Sequence, residues 1–229
     1  KREALNGEGF RARMHKYPYI TSGQATVAEL RNMVIVFLAI AVVCGLVILY
    51  FRGWPIALIM AIGGVLGVSY SGGPLKLGYH GYGELVIGIM FGVLLMIGMQ
   101  YAVCGVFDWN VALLSVAVGM LVTNIVYTHS VLDIVADEKA DKMTFARLLG
   151  SKKNQLAALA LFSLLPFVIV FAGVALGFFH WAYLVVSILL PMALFLWKSV
   201  RKFVYDEEED MTLKFWMGPM GDWENYKKA

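Results

Sequence analysis

An all-α, polytopic membrane fold with six transmembrane helices is what this sequence predicts, on three observations. First, the 229 residues are 60% hydrophobic and only 15% charged, where a soluble domain carries about 25% charged residues. Second, the apolar residues come in long blocks, and a membrane-spanning helix needs about 20 such residues in a row. Third, 18 of the 19 Lys and Arg residues fall in alternate connections between those blocks. Six long apolar runs leave too little polar surface to cover a soluble core. The expected organisation is one membrane domain over residues 1–229.

The elements follow in order. Residues 1–32 are polar and charged and contain "RARMHKYPYITSGQ", punctuated by Pro18 and Gly23. This is not the pattern of a cleavable signal peptide. The predicted spans are Met33–Phe51, Trp54–Tyr70, Leu85–Phe107, Trp109–Thr128, Gln155–Phe179 and Trp181–Trp197. Arg52 and Gly53 turn the chain between the first two. The Gly- and Tyr-rich loop "YSGGPLKLGYHGYGE" (Tyr70–Glu84) joins spans two and three. A tight turn near Asp108 joins three and four, and His180 marks the turn between five and six. Glycines four residues apart, at Gly63/Gly67, Gly88/Gly92 and Gly173/Gly177, read as sites where helices approach closely.

The basic residues set the orientation. Only Arg52 lies outside residues 1–32, 71–84, 129–154 and 198–229, so the positive-inside rule makes those segments cytoplasmic. The predicted location is the cell membrane. The net charge of +3 then needs no nucleic-acid partner, because anionic lipid and topology account for the basic residues. Cys44 and Cys104 sit inside apolar spans and read as packing residues. The acidic run "DEEED" (Asp206–Asp210) reads as a solvated stretch.

The segment "HSVLDIVADEKADKMT" is where chemistry concentrates. Asp133, Asp137 and Asp141 recur every four residues, which on an α-helix puts them on one face, about 6 Å apart per step. Like charges at that spacing repel and invite a cation. Oxygen-only ligands suit Mg²⁺, which takes one or two carboxylates and completes its shell with phosphate oxygens and water. Spacing alone is equally compatible with a helix that runs into solvent with hydrated carboxylates. Asn124 and Thr128 lie above the stripe, in a span where polar groups pair or line a cavity. Lys142 follows where it could neutralise a phosphate. Each has a plainer reading, Asn124 as a helix–helix hydrogen bond and the nearby tyrosines as interfacial anchors. No Ser/His/Asp or Cys/His pattern is present, the four histidines lack metal-ligand spacing, and there is no phosphate-binding Gly-rich loop. The D-G-x-x-A-R element of CDP-alcohol phosphotransferases is also missing.

"YSGGPLKLGYHGYGEL" resembles the corresponding loop of 1,4-dihydroxy-2-naphthoate polyprenyltransferases, within the UbiA-type intramembrane prenyltransferase superfamily. "LDIVADEKADKMTFARLLG" is similar to that superfamily's second aspartate motif. The resemblance covers most of residues 10–200 and implies part of a nine-helix ring around a central cavity. It implies Mg²⁺ on a prenyl diphosphate, with Asp133, Asp137 and Asp141 as metal carboxylates and Lys142 beside them. Asp133, Asp137 and Lys142 would be the catalytic residues. Tyr70, Lys76, Tyr79, Asn124 and Lys16 would contact substrate, Tyr70, Lys76 and Tyr79 from the loop over the site.

Several positions depart from the pattern. Leu132 stands where naphthoate enzymes often carry Arg, His129 where Asn is usual, and Asp141 where Gly is usual. The first aspartate motif, N-D-x-x-D-x-x-x-D, is absent; with six spans instead of nine, this implies a fragment.

The implied reaction transfers a polyprenyl group from a diphosphate to an aromatic acceptor, most closely 1,4-dihydroxy-2-naphthoate in menaquinone biosynthesis, with the lipid-like product leaving into the bilayer. The alternative acceptor is 4-hydroxybenzoate or a glycerol phosphate lipid. From a different class, a cation-binding membrane transporter would also use membrane aspartates. It predicts ionisable residues at the bilayer midplane and internal repeats, whereas here the midplanes are almost uncharged and no repeat is visible.

Overall fold

A computed structural model describes residues 23–207. Six helices among them are long and apolar enough to cross a membrane: α1 (Val27–Arg52), α2 (Trp54–Ser71), α3 (Gly83–Cys104), α4 (Trp109–Leu132), α7 (Lys152–Ala175) and α8 (Trp181–Val204). Two short helices, α5 (Ile134–Lys139) and α6 (Phe145–Leu148), lie between α4 and α7. All six predicted spans are therefore helices.

Their boundaries follow local chemistry more than hydropathy. Helix α1 begins six residues before the apolar run because Thr26 and Glu29 form a capping box. The Thr26 hydroxyl accepts from the Glu29 backbone N–H at 3.2 Å, and the Glu29 carboxylate accepts from the Thr26 N–H at 2.7 Å. This reciprocal pair satisfies two N–H groups that a helix start leaves open. Gly53, at φ 76°, ends α1 and lets Trp54–Pro55 open α2 at once. The Asp108 carboxylate caps α4 by accepting from Asn110 N–H at 2.7 Å. The Ser151 hydroxyl does the same for α7.

Helices α4 and α7 form the centre. Their faces supply Tyr127, Val131, Leu156, Leu159 and Phe162 to the buried core, with Val200 from α8. Tyr127, Phe145 and Phe162 meet edge to face or tilted, with ring centroids 5.4–6.2 Å apart, a favoured aromatic geometry. The Tyr127 hydroxyl donates to the Gln155 carbonyl at 2.9 Å, and the Gln155 amide donates to the Ala146 carbonyl at 3.0 Å. Burial of such groups is tolerable only with partners.

Helix α3 packs on the other side of α4. A Cβ added to Gly92 would collide with the Gly119 backbone, and one added to Gly88 would collide with the Thr123 side chain and the Gly119 carbonyl. The Gly88/Gly92 spacing is thus an intramolecular contact, as the sequence suggests. Alongside it, Ile89–Leu94 widens into a π-helical turn. Gly173 likewise accommodates the Phe179 ring, whereas Gly63 meets no neighbour within 4 Å.

Arg52 closes one end of the bundle. Its guanidinium donates to the carbonyls of Ala102 and Val103, the last turn of α3. Those carbonyls have no partner within their own helix.

Candidate active site

The opposite end is built by two segments far apart in sequence. The loop between α2 and α3 reaches the segment after α5 through a parallel bridge, His80 with Met143, in which Gly81 N–H donates to the Met143 carbonyl at 3.0 Å. Gly81 sits at φ 86°, a conformation that suits glycine, and a Cβ there would meet the Leu148 side chain. The glycine-rich loop and the aspartate segment are therefore one structural unit.

Within it, Asp133 and Asp137 are buried, at 6% and 1% exposure. Asp133 ends α4 and starts α5, and the hydrogen bond from Asp137 N–H to its carbonyl, 2.8 Å, keeps the two one helical turn apart. The Lys142 ammonium lies 3.6 Å from the Asp137 carboxylate. The Lys142 N–H also donates to the Asp137 carbonyl at 2.9 Å. Arg147 braces this turn from behind, donating to the carbonyls of Lys142 at 2.7 Å and Asp137 at 3.4 Å.

Asp141 does not extend the stripe. Helix α5 ends at Lys139, and Asp141 is exposed on a turn at φ 49°. The single three-carboxylate face expected from the spacing is replaced by a buried pair plus an outlying carboxylate. A left-handed position favours Gly, Asn or Asp, and Asp141 meets that preference.

The other predicted residues fall as follows. Tyr70, in the last turn of α2, packs its ring against Gly78 and Gly83 of the loop. Lys76 is exposed and left-handed at φ 40°, and its carbonyl lies 3.0 Å from His80 Nδ1. Tyr79 is also exposed, in the short 3₁₀ turn Leu77–Tyr79. Asn124 does not join this unit: its amide oxygen accepts from the Ser163 hydroxyl at 3.3 Å across the α4–α7 interface, the helix-pairing arrangement. Lys16 lies outside the described residues.

One buried acid at the site was not singled out from the sequence. Glu84, at 4% exposure in the first turn of α3, accepts from the Ser130 hydroxyl at 2.6 Å and from Phe145 N–H at 3.1 Å, both on Oε1. A carboxylate at the mouth of an apolar span was the available signal, easily read as a helix-dipole complement. Glu84, Tyr70, Ser130, Lys142 and Thr144 line a cavity of about 20 Å³. The Thr144 hydroxyl is buried with no hydrogen-bond partner among the described residues. A far larger cleft, about 320 Å³, lies at the Arg52 end between α1, α2 and α3, lined by Ile48, Ile56, Met60, Leu94 and Met99. It holds no ionisable side chain.

The donor set tests the expected metal. Two buried carboxylates one turn apart suit a hard divalent ion that completes its shell with phosphate oxygens and water. Among the described residues no group of three or more His, Cys, Asp and Glu is placed to hold a metal unaided. Asp133 and Asp137 are a donor pair of the oxygen-only kind that a hard divalent cation takes.

The UbiA prenyltransferase family model matches residues 13–218. A 1,4-dihydroxy-2-naphthoate octaprenyltransferase of Mycobacterium tuberculosis is 32% identical over 158 residues, 67% of this chain and 53% of that protein. A 2-carboxy-1,4-naphthoquinone phytyltransferase of Synechocystis is 30% identical over 191 residues, 81% of this chain and 62% of that protein. The Bacillus subtilis 1,4-dihydroxy-2-naphthoate octaprenyltransferase is 32% identical over 113 residues, 49% of this chain and 36% of that protein. The aligned part thus spans between about a third and three fifths of these relatives. No solved structure matches the chain significantly. With a match over most of its length, six membrane-spanning helices and a buried aspartate pair at one end, the chain belongs to the UbiA prenyltransferase family.

Proposed function

We propose that the protein transfers a polyprenyl group from a prenyl diphosphate to 1,4-dihydroxy-2-naphthoate, a step of menaquinone biosynthesis. The observation that carries the reading is the buried Asp133/Asp137 pair with the Lys142 ammonium 3.6 Å from Asp137. The acceptor is suggested by relatives named for naphthoate substrates.

In this reading Asp133 and Asp137 hold Mg²⁺, which when bound supplies Lewis-acid neutralisation of the diphosphate charge. The allylic C–O bond breaks and the diphosphate leaves with the electron pair. Lys142 is placed to offset the negative charge that grows on the leaving oxygens. The apolar spans keep water from the allylic cation. An electron-rich ring carbon of the acceptor then forms the new C–C bond, and the ring carboxyl departs as CO₂. In this reading Tyr70 and Tyr79 shape the mouth of the site, and Lys76 meets an anionic group.

Membranes containing the protein, offered several aromatic acceptors and one prenyl diphosphate, are expected to form a prenylated naphthoquinol and release CO₂. Product from 4-hydroxybenzoate alone, with its carboxyl retained, would replace the acceptor. The clustering of 18 of 19 basic residues supports a cell-membrane protein with this end facing the cytoplasm. Single cysteines at Lys76 and Lys152, in a variant lacking Cys44 and Cys104, should resist an impermeant thiol reagent in intact cells. Labelling from outside reverses the orientation.

A further inference from the structure

We propose that Glu84 is a positioning residue: it clamps the segment carrying Lys142 against α4 and the glycine-rich loop, and so sets where the ammonium stands. The inference rests on the reading of Lys142 as the diphosphate-binding cation.

Three strands of geometry converge on it. The Glu84 Oε1 atom is a shared acceptor for Ser130 of α4 and Phe145 of the segment after α5. It thereby ties the start of α3, the end of α4 and the aspartate segment at one point. Lys142 lies three residues before Phe145 and lines the same small cavity as Glu84. The segment between them also holds the Met143 carbonyl that receives Gly81 N–H. From the other side, the turn is fixed by Lys142 N–H to the Asp137 carbonyl and by Arg147. Removing Glu84 leaves the Gly81–Met143 hydrogen bond, the Phe145 ring contact with Tyr127 and that second side, but breaks the polar link to Ser130 and lets the turn shift relative to α4.

Glu84 also explains its own burial. A carboxylate at 4% exposure is costly without compensation. Here it has a hydroxyl donor, a backbone N–H donor and a lysine in the adjoining cavity. Two donors converging on one oxygen, at 2.6 and 3.1 Å, hold the clamp at a single point.

The hydrogen bonds and the charge can be separated. Gln at this position still offers one oxygen to both donors, whereas Ala leaves a buried N–H and a hydroxyl unmatched. The first readout does not depend on catalysis. With Cys44 and Cys104 replaced by Ala, cysteines at His80 and Met143 occupy bridged positions, within the reach of a disulfide. They should crosslink readily in the parent and in Glu84→Gln. In Glu84→Ala the crosslinking rate should fall by at least about tenfold, the scale of losing a partner for buried donors. The second readout is prenyl transfer. Glu84→Ala should raise KM for the prenyl diphosphate about tenfold with a smaller change in kcat, and Glu84→Gln should stay within about threefold of the parent. A melting temperature measured in detergent separates the clamp from loss of fold. Equal crosslinking in Glu84→Ala and the parent overturns the proposal. So does a loss of kcat that tracks the folded fraction with KM unchanged. If crosslinking falls as expected but the parent transfers no prenyl group, the clamp stands and the proposed reaction fails.

Discussion

The two ends of this helical bundle are held together by opposite means. At the Arg52 end, one guanidinium reaches the last carbonyls of α3, and the adjoining cleft is apolar. At the other end, Glu84, Ser130, Lys142, Arg147 and the His80–Met143 bridge connect four segments through directional contacts. The helices between them differ in the same sense. About a third or more of the apolar stretches of α4 and α7 is buried, against 6% for α1 and α2. Apolar contact is interchangeable with lipid, so it confers little geometric definition in a membrane. Polar groups at low dielectric must find partners. The end with many such groups is consequently the one with a defined shape, and that is where ionic chemistry can be held to a fraction of an ångström.

The contrast can be broken most severely at the aspartates. Asp133→Asn or Asp137→Asn should lower prenyl transfer by about 10³-fold or more, the scale of several kcal/mol of lost metal-assisted stabilisation. Expression and melting temperature should change little. Rates at the parent level in either variant would reduce the pair to a buried structural feature. At the opposite end, Arg52→Ala should act on stability alone. Leaving two helix-terminal carbonyls without their donor costs about 1–3 kcal/mol, read as a lower melting temperature in detergent. The KM for prenyl diphosphate should be unchanged. A shift in KM there would show that the two ends are coupled and that the contrast drawn between them is too sharp.

The fold was largely legible in the sequence because a bilayer imposes one length and one secondary structure on any spanning segment. All six apolar blocks are helices. The error lay at the ends: Thr26 and Glu29 draw α1 back beyond its apolar start, a signal of capping chemistry rather than hydropathy. The proximity of the two motif segments followed from their shared side of the membrane. What spacing could not convey was the break at Ala140. A four-residue period assumes a continuous helix, and α5 stops before Asp141. Asn124 was ambiguous for a different reason: a polar group in a span can face a cavity or a neighbouring helix, and only the position of Ser163 shows which neighbour it meets. Glu84 escaped notice because its partners, Ser130 and Phe145, lie 46 and 61 residues away.

The π-helical turn at Ile89–Leu94 has a consequence for the phase of α3. A turn of this kind accommodates one residue more than an α-helical turn, and each α-helical residue advances the azimuth by about 100°. Everything after Leu94 is therefore rotated relative to the helix that Gly83–Gly88 begins. Before the turn, Gly88 faces α4; after it, Gly98 faces Ile59 of α2 and the terminal carbonyls meet Arg52 of α1. One helix can thus show its narrow side to two different neighbours in succession. The widened turn works as a phase shifter, letting the tightly specified end and the loosely packed end each choose its own register along a single continuous rod.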